Sequence, residues 1–458
     1  MSYEKTDEIG TCVDTDIIFI CGHCGGIRTG GAAIQNELTP LGAERTANSD
    51  NTIPAWQGGL KSIPANVQYD GPGSHHQDPF ADDKPLFTIT AANLDQYRSR
   101  LTPGQVAMFT KYPETFMMKV FQSRRTQAVP EWVAQNTRRN AVAATLVDGG
   151  NGVDGAFGGI PFPIPSNGQE VIWNHLLRWQ GEAKLRESDS FAVHSNGDIA
   201  YGEEASVEVF PYYNRTSDQE TFDDNYYMVI TETLQPVRKK GEVVLVHDPI
   251  NQVITPRKAW QYIPGARRVR RAPTVAYDTP APFSSGLSTY DDIFMFNGAI
   301  DKYDWKLMGK EEIYIPYNNY ELDDPAHSYE SILTQHHMNP DMIRYELHRV
   351  WKVEATLKEG QRHLYSKRVM YFDEDSWIAV LADSYDSHGE LWRTNVGYNK
   401  NTYELPGVVL RAVATYDLNS GGYAVLDLMN QQAQLPRYGN AKPASYFTPA
   451  NLRKISRH

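Results

Sequence analysis

The run Phe191-Ala192-Val193-His194-Ser195-Asn196-Gly197-Asp198-Ile199-Ala200-Tyr201 decides the fold. Two flanks with a side-chain period of two are joined by four turn-forming residues, the pattern of a β-hairpin. Downstream the same pattern recurs. It predicts strands over Tyr226–Thr233, Glu242–His247, Lys258–Ile263, Val269–Arg271 and Lys310–Ile315. The last third predicts more, over Tyr345–Leu357, Leu364–Asp373, Trp377–Tyr385, Leu391–Tyr398, Val408–Tyr416 and Tyr423–Asp427. Turn clusters such as Asp373-Glu374-Asp375-Ser376 and Ser387-His388-Gly389 separate them. The expectation is one long antiparallel meander, interrupted by a helical stretch around Tyr290–Asn297.

Upstream of Leu185 the text is loop-like or helical. Thr90 is a plausible N-cap for a helix with Leu94, Tyr97 and Leu101 on one face. Thr102-Pro103 opens a second helix with proline at its first position, and a third is expected over Glu131–Leu146. Ser166 and Gln169 form a capping-box signature for a helix running through Trp179. That helix carries Val171, Ile172, Trp173, Leu176 and Leu177 and is apolar nearly all round, so it is buried or lines something greasy.

Composition agrees with a mainly β (α+β) protein. Aromatics make up 11% of the 458 residues, with 34 Gly and 27 Pro, which suits many strands and irregular loops. The net charge of −12 lacks the basic dominance that phosphate neutralisation demands, so nucleic acid is excluded as a partner. No apolar run approaches the ~18 residues needed to span a bilayer. Cys12, Cys21 and Cys24 are the only cysteines, so no disulfide can staple the main body.

The chemistry-bearing motifs each have a plainer reading. Gly150-x-Gly152-x-x-Gly155 fits a dinucleotide fingerprint by letter, yet three prolines follow and no helix can begin before Ser166. The same stretch mimics one turn of a calcium-binding β-roll but occurs once. Cys21-Gly22-His23-Cys24 has redox or zinc spacing without the strand, helix or second pair that either needs. His75-His76 and His336-His337 are adjacent pairs, which on a strand point to opposite faces. The acidic pairs Asp223-Asp224, Asp291-Asp292, Glu311-Glu312 and Asp323-Asp324 read as solvated strand edges. Hydrolase elbows, Walker loops and kinase motifs are absent, so neither catalysis nor a cofactor is expected. The sharpest local feature is Arg267-Arg268-Val269-Arg270-Arg271. Alternation places Arg268 and Arg270 on one face, where they either grip an anionic head group or pair with acidic neighbours.

Several long motifs carry a resemblance. They include Leu38-Thr39-Pro40-x-Gly42-Ala43, Thr52-Ile53-Pro54-Ala55-Trp56-x-Gly58-Gly59 and Asp83-Lys84-Pro85-Leu86-Phe87-x-Ile89-Thr90. Others are Gly155-Ala156-Phe157-Gly158-Gly159-Ile160-Pro161-Phe162-Pro163-Ile164-Pro165, Trp173-Asn174-His175-Leu176-Leu177-Arg178-Trp179 and Pro264-Gly265-x-Arg267-Arg268-Val269-Arg270-Arg271. With these, residues 36 to 458 resemble the bacterial domain-of-unknown-function 1329 family, whose members look like lipoprotein-sorting proteins of the LolA/LolB type. The resemblance implies a strongly curved, open antiparallel half-barrel with helices on its concave face. It also implies a periplasmic, non-catalytic carrier of lipid or another hydrophobic compound, beside an exporter-type transporter and an outer-membrane barrel. An interaction protein bridging those two membrane partners is the alternative, and a hydrolase the third reading.

The expected organisation is an atypical leader at 1–35, a loop-rich and helical segment at 36–185, and a half-barrel at 186–458 with a helical insertion near 284–308. Residues 36–458 form one integrated domain in this reading. The leader is acidic and lacks a recognisable signal peptide, which a misassigned start explains. The candidate ligand lining is Trp173, Trp179, Tyr262, Phe294, Phe296 and Trp305, with Arg268 and Arg270 at the rim.

Overall fold

The alternating segments form the expected strands, and most pair with their neighbours in sequence. The computed structural model describes residues 37–272, 277–439 and 441–456; the leader and its three cysteines lie outside the described residues. The N-terminal part supplies β1 (Phe87–Ile89), β2 (Met118–Phe121), β3 (Thr145–Val147) and β4 (Gly152–Asp154). A first meander follows: β5 (Ala183–Val193), β6 (Ile199–Val209), β7 (Asn225–Gln235), β8 (Val243–Pro249), β9 (Lys258–Ile263) and β10 (Arg268–Arg271). The second begins with β11 (Tyr303–Pro316), β12 (Arg344–Leu357), β13 (Lys367–Asp373) and β14 (Ala379–Tyr385). It ends with β15 (Leu391–Thr402), β16 (Gly407–Asp417), β17 (Tyr423–Leu428) and the short β18 (Arg437–Tyr438).

The two meanders join where β17 pairs with β5, Tyr423 opposite Val193 and Val425 opposite Phe191. One sheet therefore runs from β11 through β12 to β17, then from β5 to β10. β2 adds a parallel pairing to the start of β12, so the sheet is mixed. It curls on itself: Asn319, just past the end of β11, donates its N–H to the Asn399 carbonyl of β15 at 2.9 Å.

Strand alternation sorts apolar side chains to two cores. On β13, Val369 and Tyr371 pack with Met108 and Phe109 of the helix Pro103–Lys111. Met370 and Phe372 join Trp173 and Leu176 of the helix Gly168–Leu176 on the other face. Helices thus cover both faces. The absence of a side chain at Gly168 lets its helix seat on β11, because a Cβ there would lie 2.7 Å from the Trp305 backbone. A third, smaller core sits under the C-terminal helix Pro449–Ile455, which covers β8 to β10.

Helix starts differ in detail from the sequence expectation. Thr102 and Gln105 make the full capping box. The next predicted box shifts by one residue: Asn167 caps the Glu170 N–H, while Glu170 reaches back to the Ser166 N–H. Thr90 is replaced as cap by Asn93, whose side chain accepts from the Thr90 N–H. The helical insertion reduces to a 3-10 turn over Tyr290–Asp292. It stops there because Phe294 (φ 57°) and Met295 (φ 74°) are left-handed, which no right-handed helix accommodates. Among the described residues, no helix is long and apolar enough to cross a membrane.

Candidate functional site

After β10 the chain crosses back over one face of the first meander. Residues 280–297 form an irregular strap there, stapled by a bridge between Pro280 and Thr289. Between strap and sheet lies a cavity of about 120 Å³. Its floor is Val229 of β7 with Val244 and Val246 of β8, and its roof includes Phe283, Ile293 and Phe294. Phe294 also borders a smaller inner space, about 20 Å³, that reaches Trp179 and Leu410.

Charged groups ring this apolar centre, and each has a partner. Arg257 holds Asp248 through two contacts, 2.5 and 2.9 Å, and donates to the Asn297 side chain of the strap at 2.7 Å. Arg186 donates to Glu208 at 2.7 Å, reaches Glu204 at 3.4 Å and contacts Asp427. Lys184 pairs with the same Glu208 at 3.1 Å. Two cations therefore face three carboxylates in this group. Burial opposes the charge of Glu208, but Lys184 and Arg186 hold it down at about 2. Glu204 takes the strain instead: burial, aided by the charges of Asp427 and Glu208, pushes it up to about 7 against the pull of Arg186.

The strap is moored from behind by buried ions. Asp291 meets Arg368 at 2.9 Å and His363 at 3.0 Å. Asp292 accepts from Tyr365 (2.9 Å) and from Asn395 (3.1 Å). Although burial disfavours its charge, Arg368 holds the Asp291 carboxyl well below the usual range. The pair Asp291-Asp292 is thus not a solvated edge, and neither is Asp323, which is buried against Lys400 and Arg411. All three sit on short 3-10 turns rather than strand ends, and these turns direct them inward against arginine and lysine.

The residues expected to line a ligand site fall in four places. Trp173, Trp179, Phe296 and Trp305 belong to the core behind the strap, each no more than 7% exposed. Three of their indoles are satisfied by carbonyls, Trp173 by Gly150, Trp179 by Leu405 and Trp305 by Ile300. Phe296 packs edge-on to Trp305. Phe294 is half-buried at the cavity roof, with the Lys184 ammonium 5.5 Å from its ring. Tyr262 lies on the opposite face, in the small core under the C-terminal helix. Arg268 and Arg270 are exposed on the edge strand β10, away from the cavity. Sequence reasoning missed Arg186, Glu204 and Asp248 on strands and Arg257 in the loop before β9, because charged residues there read as solvent-facing until the strap is seen to cover them.

Metal-ligating side chains converge at two other places among the described residues. Glu321, Asp324 and His327 cluster at the surface; His348, Asp373 and Asp375 cluster inside. In the buried set, Asp375 is gripped by Arg125 at 2.9 and 2.7 Å. His348 lies 3.2 Å from Glu346 and 3.4 Å from Asp373, whose hydrogen bonds override burial and push it up to about 9. His348 thus joins Glu346 and Asp373 in one buried hydrogen-bonded network. Within the pair His75-His76, His75 bonds two backbone carbonyls, while His76 meets Glu404.

Comparison with known proteins places the chain among relatives. An uncharacterized protein of Pseudomonas aeruginosa, PA3922, is 44% identical over 427 residues, which is 92% of each chain. Among solved structures, a domain of an outer membrane lipoprotein-sorting protein from Vibrio parahaemolyticus matches with 15% identity and a TM-score of 0.43. The match covers 62% of this chain and 97% of that one. A DUF1329 protein from Desulfovibrio piger matches with 16% identity and a TM-score of 0.40, covering 60% and 92%. The family model for the protein of unknown function DUF1329 matches residues 88–453. With four-fifths of its length covered by that model and a close full-length relative, the chain belongs to the DUF1329 family.

Proposed function

We propose that this protein is a carrier that holds a lipid or other hydrophobic compound between the strap and the first meander. The observation that carries the reading is the partly covered cavity floored by valines and roofed by Ile293 and Phe294. Its charged groups are spent on one another, so a ligand would meet an apolar centre.

At about 120 Å³ the cavity is smaller than the ~300 Å³ at which small-molecule pockets begin. Loading therefore requires the strap to lift. Its backbone supports this: Phe283, Ser285, Phe294 and Met295 all have positive φ, a concentration of strain typical of ligand clamps. The family resemblance supports a periplasmic setting and work beside an exporter-type transporter and an outer-membrane barrel. The reading is non-catalytic: Glu204, the cavity carboxyl that burial pushes up to about 7, is committed to Arg186 as an ion partner.

Organic extraction and mass spectrometry of the purified protein, after exposure to envelope lipids, test the proposal. A bound apolar molecule is expected near one per chain, and Val244→Asp should abolish it while the circular-dichroism spectrum stays β-rich. A protein that remains empty, or a Val244→Asp variant that retains the molecule, would defeat the carrier reading.

A further inference from the structure

One end of the first meander gathers positive charge from three separate elements. The turn between β7 and β8 carries Arg238, Lys239 and Lys240, all exposed. The turn between β9 and β10 and the strand after it carry Arg267, Arg268, Arg270 and Arg271, also exposed. The C-terminal helix adds Arg453 and Lys454 in its last turn.

These elements meet at Gly241. Its carbonyl accepts from the Ser456 hydroxyl at 2.7 Å, and a Cβ there would lie 3.2 Å from Pro264. Register agrees, since Val243 at the start of β8 stands opposite Tyr262, which in turn stands opposite Val269. None of the nine side chains is ion-paired among the described residues. The carboxylates that β5 to β8 bring to this level are Glu187, Glu203, Glu204, Glu232 and Glu242; Glu204 accepts from Arg186 and Glu242 from Gln261. Cations outnumber them in a chain whose net charge is −12. At the tip of the β7–β8 turn, directly before the three cations, Val237 is 75% exposed.

Edge protection accounts for arginines on β10, because charge on an edge strand discourages strand addition. It does not account for the turn or the helix, which are not edges. We propose that this basic end is a docking surface for an anionic lipid membrane, with Val237 dipping into the interface. A bilayer of anionic headgroups satisfies dispersed cations without needing a pocket, and stable adsorption needs the two signals present here, polybasic charge and an apolar tip. The surface lies on the same meander as the cavity but shares none of its residues, so the inference stands apart from the carrier reading.

Vesicle co-sedimentation of the full chain tests it, using phosphatidylcholine vesicles with and without about one third phosphatidylglycerol. Binding to the anionic vesicles should exceed binding to neutral ones by about ten-fold or more and collapse in high salt. The triple variant Arg238→Glu, Lys239→Glu, Lys240→Glu should lose it, and Arg268→Gln with Arg270→Gln should weaken it. Val244→Asp, which blocks the cavity, should leave it unchanged. Equal binding to both vesicle types, or anionic binding that survives both basic-end variants, would overturn the proposal. So would capture of poly-glutamate without vesicle binding, which would point to an acidic protein instead.

Discussion

At the scale of single residues, burial separates structural aromatics from those that can meet a ligand. Trp173 is 2% exposed, hydrogen-bonded and packed within the main core. Trp173→Ala should therefore cost about 3–5 kcal/mol in chemical unfolding, as large-to-small core changes do. Phe294 is half-buried and held at positive φ, so Phe294→Ala should shift stability by less than about 1.5 kcal/mol. The same change should lower capture of an apolar probe several-fold, a split that equal destabilisation by the two variants would refute. Glu204 makes a separate prediction about pH. Its folded pKa is raised from 4.5 to about 7, so its contribution is intact below about pH 4.5 and is lost as pH rises through 7. Glu204→Gln should therefore gain on the wild type in thermal melts as pH goes from about 5 to about 8. A gap that stays constant or shrinks with pH would contradict that assignment.

Among elements, the strap is the outlier. Its visible backbone bonds near the cavity are local: Met295 N–H to the Asp292 carbonyl at 2.9 Å and Asn297 N–H to the Asp291 carbonyl at 3.0 Å. β13 and β15, by contrast, are paired on both sides in the interior of the sheet. Local turns open more cheaply than interior ladders. Hydrogen exchange should show the amides of Met295 and Asn297 exchanging far faster than those of β13, and slowing when an apolar compound is added. The mooring of Asp291 and Asp292 to Arg368, Tyr365 and Asn395 should keep residues 289–292 protected, making the hinge fall on the left-handed Phe294 and Met295. Uniform exchange along the strap would remove the hinge.

The whole molecule shows what a linear reading can and cannot deliver. Lys258–Ile263 forms a strand over the predicted residues, and most other strands differ only by a few at their ends, because side-chain alternation is a local signal. The extension of β11 back to Tyr303 was hidden by Gly309 and a register shift between Leu307 and Gly309, which break the alternation. The joining of β17 to β5, more than two hundred residues apart, has no local signature. Nor does the strap: Ile293, Phe294 and Phe296 look helical until backbone handedness is known. The site was half legible for the same reason. Phe294 carries a readable apolar signal, whereas Val229, Val244 and Val246 are ordinary strand residues that become a floor only once the chain crosses over them.

The proposed carrier holds an apolar ligand under the strap. Photocrosslinking with a diazirine-bearing fatty acid, followed by peptide mapping, addresses it most directly. A ligand held there should give adducts on residues 283–297 and on β7 and β8 around Val229, Val244 and Val246, competed away by unlabelled lipid. Adducts concentrated instead in the open grooves beside Trp132 or Tyr446, with the strap unlabelled, would contradict it.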